Sequence, residues 1–409
     1  MTATSTKPRI TRTRSSSSRA VRGPPMKRVE LVDLAAGVRE HRALLLAAVE
    51  RVAASGRFVL GDEVLAFEQA LAEVCRARFA VSVASGTDAL VLALVASGVA
   101  TGDAVVTTPL SFVATAEAIL RVGAVPLFVD VDPESACLCP RELERFFATC
   151  DMGPSGPTKV HRGRRVSAVV PVHLYGRIAD LVALEEIAVA SGACLVADAA
   201  QAVAGVLGAR SLTSFGAAAL SFLPTKNLGA WGDGGAVLTD DEGVAQRIRS
   251  LRTHGLDAGV AEELGYNSRL DALQAAVLAA KLPTLRHVEE RRRAHAAYYR
   301  AELPAWVRRP PALAIGDVCH LFTVRGSRRD ELAAHLDACG IATGVYYRQL
   351  LFEHPAIHSR LDGAPSSCPV AAAFAREALS LPIHEHLAPT DLERVVAAVR
   401  AFGQMNGLT

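Results

Sequence analysis

Between Phe79 and Thr239 the chain alternates short apolar runs with stretches of helical periodicity, and this alternation limits the possible folds more than any other feature. The runs are Ala80–Ala84, Ala104–Thr108, Pro126–Val131, Ala168–Val172, Cys194–Ala197, Ala218–Phe222 and Gly235–Thr239. Helical patterns over Thr87–Val95, Val113–Val122 and Leu181–Ala190 separate several of them. A strand that shows no polar face is buried on both sides, and helices must supply the cover. The expected architecture is therefore α/β, with repeated strand–helix–strand units and a mostly parallel sheet. In such sheets ligands gather beyond the carboxyl ends of the strands, so the residues just after each run deserve the closest reading.

The flanks read differently. From Val29 to about Cys75 the pattern is helical, with one apolar stripe of Leu44, Leu45, Ala48 and Val52 and another of Val64, Phe67, Leu71 and Val74. Beyond Asp271–Lys281 and Val288–Leu303, both helical, the runs Leu321–Val324 and Val345–Tyr347 suggest strands. Asp330–Gly340 and Asp391–Phe402 suggest helices. With 409 residues, two domains are expected at the usual ~100–200 residues each. Their spans are 29–281 for a large domain with amino-terminal helices and 282–409 for a smaller α/β domain.

Residues 1–28 hold eight basic residues (Lys7, Arg9, Arg12, Arg14, Arg19, Arg22, Lys27, Arg28) and no acidic one. The remainder has 36 basic against 42 acidic residues, a mildly acidic body that argues against a broad nucleic-acid surface. Rich in Ser and Arg and closed by Gly23-Pro24-Pro25, the start reads as a disordered tail. An organelle transit segment shares that composition. No apolar run approaches the ~18 residues of a membrane span, and no signal-peptide core is present. The eight cysteines include no C-x-x-C pair and no partners at metal-binding spacing, so reduced thiols, a cytoplasmic setting and no metal site are expected.

Three strand ends carry chemistry. The first run leads into Ser85-Gly86-Thr87 at a helix start, where free N–H groups make an anion site; a plain helix cap explains it equally well. The fifth run leads into Asp198-Ala199-Ala200-Gln201. An acid directly after an apolar strand needs a cationic or hydrogen-bonding partner, and a helix N-cap is the simpler explanation. The sixth leads through Ser221-Phe222 to Thr225-Lys226-Asn227-Leu228-Gly229, a lysine on constrained backbone. Burial or nearby cations would make it a nucleophile, whereas most lysines are simply solvated. The P-loop and Rossmann glycine fingerprints are both absent. Taken together, a phosphate cradle, an acid for a ring nitrogen and an amine for an aldehyde are what pyridoxal 5'-phosphate requires.

The chain resembles the DegT/DnrJ/StrS family of pyridoxal-phosphate-dependent nucleotide-sugar aminotransferases, of fold type I (aspartate aminotransferase-like). The stretches that carry the likeness are Ser85–Leu90, Val172-His173-Leu174-Tyr175-Gly176, Asp198–Gln201, Ser221–Gly229 and Gly265-Tyr266-Asn267-Ser268-Arg269-Leu270-Asp271. The resemblance implies that Lys226 joins the cofactor aldehyde and shuttles protons, that Asp198 pairs with the pyridinium nitrogen, and that Gln201 lies near the ring hydroxyl. It implies that Phe112 stacks on the ring and that Gly86, Thr87 and Ser221 hold the phosphate. Asn267 matches a residue that reaches the phosphate of a neighbouring subunit, which implies a homodimer. His173, Tyr175, Arg269, Tyr346 and Arg348 are the substrate-side candidates. Without the resemblance, Phe112 would read as core, His173 as a satisfied strand-end histidine, and Asn267 and Arg269 as loop residues.

The implied reaction moves an amino group, with glutamate the expected donor, onto a nucleotide-linked keto-deoxysugar, most like a dTDP-3-keto-6-deoxyhexose, in amino-sugar biosynthesis. Lysine at 226 favours transamination over the dehydratase relatives that carry His there. Two departures keep a ketocyclitol or aminobenzoate-type enzyme of the same family, or a non-catalytic regulatory homologue, as alternatives. Leu223 stands where relatives often have His or Tyr, and in Val345–Pro355 Arg348 replaces a proline and Phe352 a histidine. Arg348 would meet an anionic substrate group or lie solvated in a loop.

Overall fold

The computed structural model describes residues 27–154, 157–257 and 259–408; all but the last two residues of the expected tail lie outside these. All seven apolar runs are strands of one sheet: β1 (Phe79–Val83), β2 (Ala104–Thr107), β3 (Val125–Phe128), β4 (Arg164–Val170), β5 (Cys194–Asp198), β6 (Ala217–Ser221) and β7 (Gly235–Thr239). They lie in the order β1-β7-β6-β5-β4-β2-β3. Only β7 runs antiparallel to its neighbours, so β1 to β6 share a carboxyl edge. A short hairpin, Asp151–Met152 with Lys159–His161, continues antiparallel from β4.

Successive residues along a strand enter different cores, as a period of two demands. Ala104 and Val106, Leu195 and Ala197 face one buried cluster, while Val105 and Val196 face another. Helices Gly86–Ala96 and Glu242–Leu251 cover the second face. The first packs against Leu181–Ala190, Ala272–Lys281 and the amino-terminal helices Arg42–Ser55 and Asp62–Cys75. Within the expected amino-terminal stripes, Leu45, Ala48, Val52, Val64, Phe67 and Leu71 are buried, but Leu44 and Val74 are exposed.

Helix Leu285–Glu302 leads to a separate carboxy-terminal core. There β8 (Phe322–Arg325) pairs antiparallel with β9 (Ala378–Leu381), and helices Arg329–Ala338 and Pro389–Met405 pack over them. The strand expected at Val345–Tyr347 does not form. Only Gly344 bridges to Ser380 before the chain turns away at Tyr346 and Tyr347. After that bridge to β9 the segment leaves the sheet, and Tyr346 and Tyr347 contact Tyr175, Gln201 and Phe112 instead, so packing at the site overrides the aromatic strand preference.

Candidate active site

Helix Gly86–Ala96 begins where β1 ends, and three chain segments crowd its first turn. The Ser85 hydroxyl caps it by accepting from the Asp88 N–H at 3.1 Å. A methyl group on Gly86 would stand 2.6 Å from Cβ of Ser221, and one on Gly235 would stand 2.3 Å from the Ser85 carbonyl. Only glycine permits this approach, which brings the ends of β1 and β6 together. Asp88, the one acid of that turn, is engaged by the Ser268 hydroxyl at 2.8 Å. The helix N-terminus, the half-buried Thr87 and the Ser221 hydroxyl thus form a small cradle suited to a phosphate.

Asp198 ends β5 and is buried. Its Oδ2 accepts from the Thr115 hydroxyl at 2.7 Å and its Oδ1 from the Ala200 N–H at 3.2 Å. Thr115 has one proton to give, so its 2.7 Å partner Ser111 must donate to it, and a relay runs from Ser111 through Thr115 to the carboxylate. Burial raises the carboxyl pKa, and these hydrogen bonds together with the charge of Lys226 oppose the rise.

Lys226 follows β6 on a pinned loop. Phe222 is fully buried and meets Phe67 edge-on at 5.5 Å. The Phe222 N–H donates to Gly234, the Ala230 N–H to Phe222 and the Lys226 N–H to Leu223, each at 2.8 Å. A methyl on Gly229 would come within 2.3 Å of the Pro224 carbonyl. Burial pushes the ammonium pKa of Lys226 down to about 8, against the pull of Asp198. Each group therefore feels the other's charge, yet no direct ion pair joins them among the described residues.

Aromatic groups close the same region. Phe112 caps helix Val113–Arg121 and is 56% exposed, so it is not a core residue. Its ring centre lies 6.0 Å from that of Tyr347, at a 40° tilt. Gln201 accepts from the Tyr175 N–H at 2.6 Å and donates to the Tyr347 hydroxyl at 3.3 Å. The Tyr175 hydroxyl donates to the Tyr346 carbonyl. Gln201, Tyr175, Tyr346, Tyr347 and Phe112 are thus linked by direct contacts. The exposed ring of Phe112, the buried acid, the amine and the cradle match the four demands of a flat, phosphorylated pyridine aldehyde.

Other expected residues stand apart or serve the scaffold. His173 is fully buried; its Nδ1 accepts from the Ala179 N–H at 3.1 Å, and burial lowers its pKa to about 4, so it is neutral. Its backbone N–H donates to the Asp198 carbonyl at 3.0 Å, which ties it to the end of β5. Asn267 is exposed and half-buried Arg269 makes no hydrogen bond among the described residues, although Ser268 between them is buried against Asp88. Arg348 is exposed and pairs with Asp330 at 3.0 Å, without contact to the cluster.

Thr115, Ser111 and Tyr347 went unnoticed in the sequence. The first two had a signal, since hydroxyls four apart flank Phe112 where a helix starts; Tyr347 had none. A further network also emerges only in three dimensions. Asn227 accepts from His320 at 2.8 Å and donates to Glu289, whose other oxygen accepts from the Cys319 N–H at 3.0 Å. It holds the lysine loop against the carboxy-terminal core.

Comparison with known proteins agrees with this geometry. A protein of Streptomyces venezuelae, dTDP-3-amino-3,4,6-trideoxy-alpha-D-glucose transaminase, is 41% identical over 92% of this chain and 97% of its own. A pleiotropic regulatory protein of Geobacillus stearothermophilus is 37% identical over 91% of this chain and 98% of its own. The crystal structure of S. venezuelae DesV in complex with a ketimine intermediate superposes with a TM-score of 0.85 at 40% identity, covering 93% of this chain and 99% of that one. The profile of the DegT/DnrJ/EryC1/StrS aminotransferase family matches residues 40–400. The chain belongs to that family and is a pyridoxal-phosphate-dependent aminotransferase.

Proposed function

We propose that the protein transfers an amino group, with glutamate as donor, to a nucleotide-linked keto-deoxysugar, specifically a dTDP-linked 3-keto-6-deoxyhexose. The substrate class follows the names of its relatives. The observation that carries the reading is the pairing of a half-buried amine, depressed to about 8, with a fully hydrogen-bonded buried carboxylate on the adjacent strand end.

When bound, the cofactor supplies an electron-withdrawing ring that stabilises negative charge at the carbon losing its proton. Lys226 would hold the cofactor's aldehyde, and its depressed pKa would let its free amine hold and return a proton at Nζ. Burial raises the Asp198 pKa and the hydrogen bonds from Thr115 and Ala200 oppose the rise; its carboxylate would pair with the ring nitrogen. Gln201 would lie near the ring hydroxyl, Phe112 would stack on the ring, and Gly86, Thr87 and Ser221 would hold the phosphate. Of the substrate-side candidates, Tyr175 and Tyr346 shape the site through their contacts with Gln201 and with each other. Arg269 keeps its side chain without a hydrogen bond among the described residues, His173 braces the end of β5, and Arg348 pairs with Asp330 outside the cluster. A homodimer completes the site through Asn267 of the neighbouring copy. The exposed apolar side chains Phe58, Val59, Leu223 and Trp231 support such a contact. The expected setting is the cytoplasm; no helix among the described residues is long and apolar enough to cross a membrane.

The test is incubation of the holoenzyme with glutamate and a panel of nucleotide keto-sugars and ketocyclitols, with product identified by mass spectrometry and NMR. Amination of a dTDP-3-keto-6-deoxyhexose is expected. Amination of a ketocyclitol alone would move the function to that branch of the family. Absence of any turnover would favour the regulatory alternative that the Geobacillus stearothermophilus relative brings to mind.

A further inference from the structure

The loop that carries Lys226 borders a cavity of about 680 Å³ on one side, so packing from that side does not fix it. Tethers set its place instead. Lys281 donates to the Gly229 carbonyl at 2.5 Å. The other tether is Asn227, the residue next to the lysine. Its amide nitrogen donates to Glu289 and, at 3.2 Å, to the Cys319 carbonyl, and its amide oxygen lies 2.8 Å from Nδ1 of His320. These donors and acceptors allow one arrangement. A carboxylate and a carbonyl only accept, so both take protons from Asn227 and orient its amide. The amide oxygen must then accept, and Nδ1 of His320 must carry the proton. The ring is buried, and burial with the charges of Lys226 and Arg292 holds its pKa well below the usual histidine value. It is therefore neutral, and Nδ1 holds its only proton.

The backbone of His320 is held as firmly, and by a different part of the site. Its N–H donates to the Tyr175 carbonyl at 3.3 Å, and the Leu321 N–H donates to the same oxygen at 3.2 Å. Arg292 donates to the His320 carbonyl at 3.1 Å. The Val318 N–H donates to the Gly176 carbonyl at 2.8 Å. A methyl on Gly176, at φ +91°, would stand 2.0 Å from the Val318 carbonyl oxygen, so only glycine permits this approach. Tyr175 itself has φ +61°, a left-handed conformation that is unfavourable for a tyrosine and persists only where contacts hold it. Its N–H donates to Gln201 at 2.6 Å. His320 is thus the joint between the lysine loop and the Tyr175–Gln201 pair, two residues before β8 of the carboxy-terminal core.

We propose that His320 is a positioning residue of the active site: through Asn227 on one side and Tyr175 on the other, it fixes the lysine loop relative to Gln201. A lysine side chain has four free torsions, so its amine finds one place only if its backbone is fixed. A misplacement of about 1 Å can cost about a hundredfold in rate. The proposal rests on the reading of Lys226 as the cofactor lysine.

The test is capture of pyridoxal phosphate by the apoprotein, followed through the aldimine absorbance, together with hydrogen exchange of the peptide spanning residues 223–230. His320→Leu removes the donor at similar size. It is expected to slow capture at least tenfold and to speed exchange of that peptide. His320→Asn sets an amide N–H near the place of the Nδ1–H and should recover most of both, a rescue that lost packing alone would not give. Asn227→Ala should match His320→Leu, and the double variant should be no slower than either single one. Thermal melts check folding; if His320→Leu melts early, Asn227→Ala, at a half-buried position, carries the test. Capture and exchange within twofold of the wild type in His320→Leu or Asn227→Ala overturn the proposal. So does a failure of His320→Asn to recover, or losses that multiply in the double variant. A wild-type borohydride adduct on another lysine would refute the cofactor-lysine reading and the proposal with it. An adduct on Lys226 with unchanged capture in the variants would sink the proposal alone.

Discussion

The carboxylate and the amine sit on neighbouring strand ends, β5 and β6, but their surroundings are built on opposite plans. Around Asp198 every oxygen has a donor from its own chain, and the relay from Ser111 leaves no room for choice. Around Lys226 the chain leaves an open cavity in whose wall, among the described residues, the Arg291 guanidinium is unpaired and the His384 Nε2 has no hydrogen-bond partner. A group that must hold one ring nitrogen in one charge state profits from rigid, satisfied hydrogen bonds. A group that must serve two different substrates in turn needs space and spare donors. The acid's surroundings are filled from within the chain, whereas the lysine borders open space.

The contrast can be broken at several points. Lys226→Ala should lower kcat by about a thousandfold or more, the upper range for a lost proton-transfer group, and should abolish covalent retention of the cofactor. Steady-state assay and dialysis against buffer check both effects. Asp198→Asn removes the charge without changing shape and should cost about a hundredfold in kcat, with cofactor still bound. Thr115→Val leaves the acid in place but removes one hydrogen bond to it. At about 1.5–3 kcal/mol for a charged acceptor, turnover should fall roughly tenfold or more. Serine at 115 should restore most of that loss, which a packing defect would not allow.

The depressed pKa of Lys226 gives a pH signature. Only the uncharged amine attacks the aldehyde, so capture of pyridoxal phosphate by the apoprotein should rise about tenfold per pH unit and level off near pH 8. A rise continuing beyond pH 10, as for a solvated lysine, would show that burial does not tune the amine. The smallest effect is expected at Arg348. Its pair with Asp330 is exposed on both sides, so Arg348→Ala should change stability by no more than about 1 kcal/mol in a denaturant melt. A large loss of sugar-nucleotide affinity in that variant would bring Arg348 back to the substrate side.

What the sequence disclosed follows the same division. The seven central strands were legible because burial on both faces leaves uninterrupted apolar runs, and the residues after them could be read as a cofactor set. The exposure of Phe112 was not legible, since an aromatic in an apolar stretch reads as core. Val345-Tyr346-Tyr347 misled for a related reason: aromatic and β-branched side chains favour strands, but these tyrosines pack against Phe112, Tyr175 and Gln201, which lie far away in the sequence. Arg291 and His384 lie 93 residues apart and come into one cavity wall only through the packing of helix Leu285–Glu302 near the turn after β9. No local pattern encodes that meeting.

The most direct measurement is borohydride reduction of the purified holoenzyme followed by proteolysis and mass spectrometry of the peptides. A single cofactor adduct on the peptide containing Lys226, lost in Lys226→Ala, is the predicted result. An adduct on any other lysine, or none in a protein saturated with pyridoxal phosphate, would contradict it.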